Sequence, residues 1–397
     1  MQAPVPENEM ERLTSLSEFD LDYSDLESNF KDLTLLAAKV AGTPISLINL
    51  IDSYTQWTIS SHGLDINQMP REDSVCQYTI LEDSEFEVKD LTIDERFSKK
   101  FYVADENKLK YYLGVPLQTS SGVNIGALCV LDSNLKEISP EKIELLKIIA
   151  NEIVNRLTAL KVIENLKSSL AESKETNKKV AHDIRGPLGG IIGLAQLISE
   201  QGDENKLEEV LEFIKLIQKS GTSLLELADE ILSGDKQTLK LQSNEFNLLV
   251  LKDKLEKLYA PQALNKTIHF EVTINSEVAQ VPFSKDKLLQ IIGNLVSNAL
   301  KFTPLGGSVK VKLDLQIMEN KNHLYITVSD SGAGITPEKI QEILSGSVNS
   351  SNGTGGETGY GFGLALVKHL IAGLKGTFTI DSSGDEGAIF KITLPQV

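Results

Sequence analysis

Apolar residues change their spacing several times along this chain, and each change marks an element. Leu26–Ala41 repeats at helical steps, which places Phe30, Leu33, Leu36 and Ala37 on one side of a helix. Short apolar runs follow at Ile45–Ile51, Gln56–Ser60, Phe86–Lys89, Tyr111–Gln118 and Asn124–Leu131 and read as strands. Gly114-Val-Pro, Ser121-Gly and Ser133-Asn punctuate the later ones. Leu146, Ile149, Ile153, Leu157, Leu160, Ile163, Leu166 and Leu170 then recur at steps of three and four, with no Gly or Pro over 141–185. That stripe fits either an amphipathic helix packed on the preceding domain or, the stronger expectation, the seam of a parallel dimeric coiled coil.

The helix is expected to continue to about Glu200, with a bend after residue 183, because Pro187 lacks the amide that would bond that carbonyl. Gln201-Gly-Asp makes a turn, and Leu207–Leu232 supplies a second amphipathic helix. Two such helical hairpins would close a four-helix bundle. From Phe246 the α/β pattern returns. Helices are expected near 251–264, 284–301, 336–344 and 361–373, and strands near 268–274, 308–317, 323–329, 376–380 and 388–394. This order suggests a sheet covered by helices on one face. The fold class is therefore multidomain α/β plus a helical bundle. A polar segment spans 1–24 and should lie loosely on the surface. An α/β domain occupies 25–140, a coiled helix 141–175, a helical hairpin 176–235 and a second α/β domain 240–397.

A length of 397 residues suits two or three domains, and 41% hydrophobic with 24% charged residues is ordinary for a globular protein. The net charge of −17 argues against a general nucleic-acid binder. Two cysteines, Cys76 and Cys129, cannot make a disulfide framework and fit a reducing compartment. No apolar run reaches the roughly 20 residues of a membrane span, and the N-terminus lacks signal-peptide character. The expected location is cytoplasmic.

Candidate chemistry concentrates in the C-terminal domain. Asn294 and Asn298 are four apart on one helix, with Lys301 near the same edge. Carboxamide oxygens can ligate Mg²⁺ without adding negative charge beside phosphates, and a lysine supplies a compact countercharge; an outward polar helix face accounts equally for the helix alone. Asp330-Ser-Gly332-Ala-Gly334-Ile closes a strand with a carboxylate able to accept from an exocyclic amine. Seven glycines between 345 and 363 read as a linker, yet the stretch runs into the amphipathic sequence from Gly361. A glycine-rich loop entering a helix offers free amides to phosphate oxygens.

Asn-x₃-Asn-x₂-Lys-Phe, Asp-x-Gly-x-Gly and Gly359-Tyr-Gly361-Phe-Gly363-Leu, in this order, resemble the ATPase domain shared by histidine kinases, DNA gyrase and the MutL proteins. The resemblance implies that Asn298 ligates Mg²⁺, that Asn294 and Lys301 assist the phosphates of ATP, and that Asp330 reads adenine. It further implies that Gly332 and Gly334 line the base pocket, while Gly359, Gly361 and Gly363 shape a lid. Lys178-Lys-Val-Ala-His182-Asp183-Ile-Arg185-Gly-Pro-Leu188 resembles the phosphoacceptor box of HisKA-type dimerisation domains. Asp183 stands where glutamate is commoner and can orient the imidazole, leaving Nε2 to attack. Arg185 can neutralise phosphate charge. Gly186 stands where relatives with phosphatase activity carry Thr or Asn, and Ile340–Ser347 stands where a Phe-containing box usually precedes the lid.

Residues 20–135 resemble a GAF sensory domain through Ile45-Ser-Leu-Ile-Asn-Leu-Ile-Asp, Pro70-Arg-Glu-Asp-Ser-Val-Cys76, Tyr112-Leu-Gly-Val-Pro-Leu and Ile125-Gly-Ala-Leu-Cys-Val-Leu-Asp132. Cys76 is expected to be a buried structural thiol, with chromophore attachment or redox sensing as the alternative. Trp57, Tyr78, Tyr111 and Tyr112 line either a ligand pocket or the core. Together the motifs resemble a sensor histidine kinase. That family works as a homodimer, transfers the ATP γ-phosphoryl to its histidine (here His182), and passes it to the receiver domain of a separate response regulator. The GAF domain would bind an unidentified small-molecule signal. A non-catalytic ATP-binding scaffold and another dimeric ATPase of the same superfamily are the alternatives.

Overall fold

The computed structural model describes residues 5–104, 108–164, 166, 167, 192, 196, 244–318, 322–345, 361–382 and 387–396. The chain divides into two compact units, one formed by 1–162 with 245–397 and the other by 163–244. The helical hairpin, the Pro187 bend and the 201–206 turn fall in the second unit, outside the described residues.

The first α/β region is a six-stranded sheet. Its strands are β1 (Ile45–Ile51), β2 (Thr55–His62), β3 (Gln68–Pro70), β4 (Phe86–Val88), β5 (Tyr111–Gln118) and β6 (Asn124–Asp132). The order is β3-β2-β1-β6-β5-β4, antiparallel throughout. Every residue of β1 is buried because both sheet faces are covered. Ile48 and Leu50 face the helix Lys31–Ala41, while Leu47 and Ile51 face the other layer beside Cys76 and Cys129. Burial on both faces explains why this strand reads as a nearly unbroken apolar run rather than an alternation. On the helix Lys31–Ala41 the core side is Leu33, Thr34, Ala37, Ala38 and Ala41. Leu36, expected inward, is exposed. Thr34 takes a core position because its hydroxyl bonds Phe30 O at 2.9 Å and Ser60 Oγ at 2.6 Å.

Two expectations are corrected here. The N-terminal segment does not lie loosely on the surface: Glu9–Ser17 is a helix with Leu13 and Leu16 in the core. Its polar appearance is misleading because Glu9 and Arg12 neutralise each other at 2.7 Å inside the protein. The stripe beginning at Leu146 is also divided. Within helix 140–164, Leu146, Ile149, Ile153 and Leu157 pack into the core shared with β1, β5 and β6. Val162, Ile163 and Leu166 are exposed. The α/β domain thus extends past 140, and its last helix uses the first half of the expected coiled-coil seam.

The second α/β region holds β7 (Glu245–Phe246), β8 (His269–Ile274), β9 (Phe283–Ser284), β10 (Ser308–Gln316), β11 (Asn322–Asp330), β12 (Thr377–Asp381) and β13 (Ile389–Gln396). The main sheet runs β12-β13-β11-β10-β8, with β8 and β10 parallel and the other pairs antiparallel. Val309, Val311, Leu313 and Leu315 alternate inward along β10, while Lys310 and Lys312 point to solvent. The helices Leu248–Asn265, Leu288–Phe302 and Phe362–Gly373 cover the apolar face and share one core with it. The expectation of a sheet with helices on one face holds, and β7 with β9 adds a small separate ladder.

Candidate nucleotide site

The helix Leu288–Phe302 builds the site. Its apolar residues Ile291, Ile292, Leu295, Val296 and Ala299 are locked in the core, which fixes the rotation of the remaining face. That face carries Asn294, Asn298 and Lys301, which are only 3%, 6% and 7% exposed. An outward solvated polar stripe is therefore excluded. The helix end is secured by Lys266, whose ammonium donates to Leu300 O at 2.9 Å and Lys301 O at 3.0 Å.

Asn294 donates through Nδ2 to Gln290 O at 2.9 Å, which aims its Oδ1 away from its own helix. That oxygen is buried without a hydrogen-bond partner. A buried carboxamide oxygen lacking a donor costs roughly 1–3 kcal/mol, and it marks a place where a cation or donor group would be welcome. Asn298 Oδ1 accepts from the Tyr54 hydroxyl at 3.2 Å. The Lys301 ammonium lies 5.4 Å from the Tyr54 ring centre and 5.2 Å from that of Phe302.

Gly363, in the first turn of the helix Phe362–Gly373, faces these groups. A β-carbon there would stand 2.6 Å from Tyr54 Cε2 and 3.1 Å from Asn294 Oδ1. Only glycine permits this approach. Gly361 caps the same helix with φ of 79°. Gly359 lies outside the described residues, as do His182, Asp183 and Arg185.

Asp330 ends β11, and its loop is pinned at both ends. Asp330 Oδ1 accepts from Gly332 N at 2.9 Å and Ala388 N at 3.3 Å, which leaves Oδ2 for a donor on a ligand. Burial pushes this carboxyl above the usual aspartate range, against the pull of the two backbone donors. Gly332 packs on the end of the asparagine helix, where a β-carbon would lie 2.5 Å from Phe302 O. Gly334 has φ of 70°. The Asp330 loop thus packs against the end of the helix that carries Asn294, Asn298 and Lys301. Donor chemistry suits the expected ligand: two carboxamide oxygens and an ammonium for a magnesium triphosphate, a half-buried carboxylate for an amine-bearing base.

Two contributors were not read from the sequence. Gly387, at φ of 83°, touches the strand end so closely that a β-carbon would sit 1.9 Å from Asp330 O. The Asp-Glu-Gly sequence offered a cue, though nothing tied it to Asp330. Tyr54 was hidden in a hairpin turn of Asp, Ser and Thr that reads as a solvent loop.

In the first α/β region Cys76 is buried, as expected, and Cys129 is its neighbour at 3.9 Å between sulfurs. Asn49 Nδ2 donates to both, at 3.2 and 3.3 Å, and the Tyr112 hydroxyl donates to Cys76 at 3.3 Å. Burial alone would raise the Cys76 thiol, but its hydrogen bonds with Cys129, Tyr112 and Asn49, in that order of weight, outweigh burial and bring it down to about 7. Tyr111 and Tyr112 serve opposite core layers, and Tyr78 stacks on Phe86. Trp57 belongs to neither layer: it lies between Tyr23 and Tyr259.

Residues 284–397 match the histidine kinase-, DNA gyrase B- and HSP90-like ATPase family, 173–236 the His Kinase A phospho-acceptor domain and 25–157 the GAF domain. The chain carries the GAF, HisKA and HATPase domain set of the sensor histidine kinases. A cyclic di-GMP phosphodiesterase of Pseudomonas aeruginosa is 41% identical over 129 residues, 32% of this chain and 22% of that protein. The autoinducer 2 sensor kinase/phosphatase LuxQ of Vibrio vulnificus is 32% identical over 224 residues, 55% of this chain and 26% of its own. The sensor protein EvgS of Escherichia coli is 32% identical over 246 residues, 60% of this chain and 20% of its own. The chain therefore spans about a quarter or less of the length of these relatives. The catalytic domain of the histidine kinase ThkA matches at 24% identity and a TM-score of 0.32, covering 38% of this chain and 94% of that one. Among the described residues no helix is long and apolar enough to cross a membrane.

Proposed function

We propose that this protein is a cytoplasmic histidine autokinase of the two-component type. It acts as a homodimer and uses ATP and Mg²⁺ to phosphorylate His182. The observation that supports the reading is the buried convergence of Asn294, Asn298, Lys301 and Gly363 around Tyr54, with the Asp330 loop packed on the end of the same helix. Asp330 accepts the exocyclic amine of adenine, Lys301 holds the phosphates, and Asn294, which presents its Oδ1, would assist them through the bound cation. Asn298 would hold Mg²⁺, which supplies charge neutralisation on the triphosphate when bound.

His182 contributes a neutral Nε2 lone pair, with Asp183 accepting from Nδ1–H to fix the tautomer. Nε2 forms a bond to the γ-phosphorus as the bond to the bridging oxygen breaks, releasing ADP, and Arg185 stabilises charge on the transferring oxygens. Positioning and electrostatics carry the rate, since little covalent work falls to the protein. The phosphoryl group then passes to an aspartate of a response regulator receiver domain. The GAF domain receives a small-molecule signal.

The test is incubation of the chain and its His182→Gln variant with γ-labelled ATP and Mg²⁺. Acid-labile, base-stable label on the wild type only is the expected result. Label of equal amount on both proteins would overturn His182 as acceptor, and ATP bound without label would favour a non-catalytic scaffold.

A further inference from the structure

The turn between β1 and β2 is built to hold one side chain in place. Asp52 N donates to Thr55 O at 2.9 Å, which closes the turn around Ser53 and Tyr54. Arg71 N donates to Tyr54 O at 2.9 Å, and Arg71 Nη1 to Asp52 O at 3.3 Å. The Arg71 guanidinium is itself clamped by Glu9 at 2.5 Å, with both side chains fully buried. The tip is thus fastened from behind, and Tyr54 extends from it into the nucleotide site.

There it meets the groups assigned to the triphosphate. Its hydroxyl donates to Asn298 Oδ1, its ring lies under the Lys301 ammonium, and its edge fills the space that the missing β-carbon of Gly363 leaves beside Asn294. Mg²⁺ requires an oxygen ligand at about 2.0–2.1 Å in a nearly octahedral shell. The phenol takes one of the two lone pairs of Asn298 Oδ1 and stands where the rest of such a shell would have to be built.

The contact is one point of a broad seam between the two α/β regions. Trp57 stacks on Tyr23 at 5.0 Å and meets the edge of Tyr259 at 5.9 Å. Gln262 donates to Gln68 Oε1 at 2.6 Å, and Gln68 donates to Leu258 O at 3.2 Å. Asp22 pairs with Lys254. Lys287 donates through its backbone to Asp20 Oδ1 at 3.1 Å and through Nζ to Ser17 O at 2.6 Å.

We infer that the sensory domain holds the nucleotide site shut, with Tyr54 occupying the place of the magnesium triphosphate, so that ATP binds only when the hairpin withdraws. The inference rests on the nucleotide reading given above. It makes Tyr54 the competing occupant of a regulated site, and it makes the Asp22–Lys254 pair and the Trp57–Tyr259 edge contact the clamps that keep it there. Apparent affinity for nucleotide is then lowered by the fraction of molecules with the hairpin withdrawn.

The experiment is equilibrium binding of a fluorescent, non-hydrolysable ATP analogue with Mg²⁺ to the full chain. Tyr54→Ala is expected to tighten binding about tenfold. Lys254→Glu breaks a half-exposed pair away from the site and is expected to tighten binding roughly 2- to 5-fold. The swap Asp22→Lys with Lys254→Glu should return it to the wild-type value. If Tyr54→Ala does not fold, the Lys254→Glu and swap pair decides. Asp330→Asn serves as the control for the nucleotide reading. Wild-type affinity in both Tyr54→Ala and Lys254→Glu, with binding abolished in Asp330→Asn, would overturn the inference and leave the nucleotide site standing. No binding in any variant would remove the nucleotide reading, and the inference with it.

Discussion

Arg71 Nη1 lies 2.5 Å from Glu9 Oε1, and neither side chain has any exposed surface. Arg12 bonds the same carboxylate through two donors, at 2.7 and 2.8 Å, and donates to Ile51 O. One negative charge thus fastens the N-terminal helix and the 71–73 turn behind the β1–β2 hairpin. Burial would raise the Glu9 carboxyl, but the charges and hydrogen bonds of Arg12 and Arg71 outweigh it and hold it at about 2.

Removing that charge leaves two guanidiniums facing each other inside the protein. Glu9→Gln is expected to lower unfolding free energy by about 3 kcal/mol, the loss typical of a broken buried pair, measured by urea denaturation near neutral pH. The sign with pH follows from the depressed value. The stabilisation is complete above the ordinary glutamate pKa of about 4.3 and disappears as pH falls toward about 2. Wild-type stability should therefore slope downward across that window, and Glu9→Gln should lack that part of the slope.

Asp330 presents the opposite balance. Its carboxyl is pushed up by burial, so its ionisation works against the ligand-free fold at neutral pH. Stability linked to this group is greatest when it is protonated and declines as pH rises through its raised pKa. Asp330→Asn is expected to raise the melting temperature of the ligand-free protein while abolishing nucleotide binding. Calorimetry and a binding titration on the same sample check both; a lowered melting temperature would contradict the account.

Gly387 is the backbone support of that carboxylate. Alanine there would adopt a left-handed φ and press on Asp330 O. Gly387→Ala is expected to destabilise by at least the roughly 1–3 kcal/mol of a strained left-handed residue and to weaken nucleotide binding without touching the ligand. Thermal unfolding and binding titration measure the two effects.

The Cys76 thiol owes its low pKa to donors rather than exposure. Asn49→Leu removes a donor shared by Cys76 and Cys129. Its expected effect is an upward shift of the Cys76 titration from about 7, followed through thiolate ultraviolet absorbance against pH. An unmoved titration would remove Asn49 from the groups, Cys129 and Tyr112 before it, that lower this thiol.

Much of this was legible before any coordinates. β1, β5 and β6 announced themselves as apolar runs between turn residues, whereas Asn294, Asn298, Lys301 and Asp330 were singled out by the resemblance of their combined motifs to a known ATPase family, spacing alone leaving an outward polar face open. What escaped had a physical reason. Glu9 and Arg12 look like solvated residues, because a sequence does not show that opposite charges will be buried together with Arg71, 62 residues away from Glu9. Leu36 fits the helical period but lies just beyond the strip that the sheet covers. Tyr54 was invisible as a site residue because its partners come from another domain, and turn chemistry predicts only the backbone around it.

Helix 140–164 behaves mechanically like a beam set into masonry. Its side chains are sunk in the sheet's core up to Leu157 and emerge by Val162. A beam held this way cannot slide or rotate independently of its socket. Over the described residues the free part of the beam is short: from Val162 to residue 164 it projects by no more than about 1.5 Å per residue.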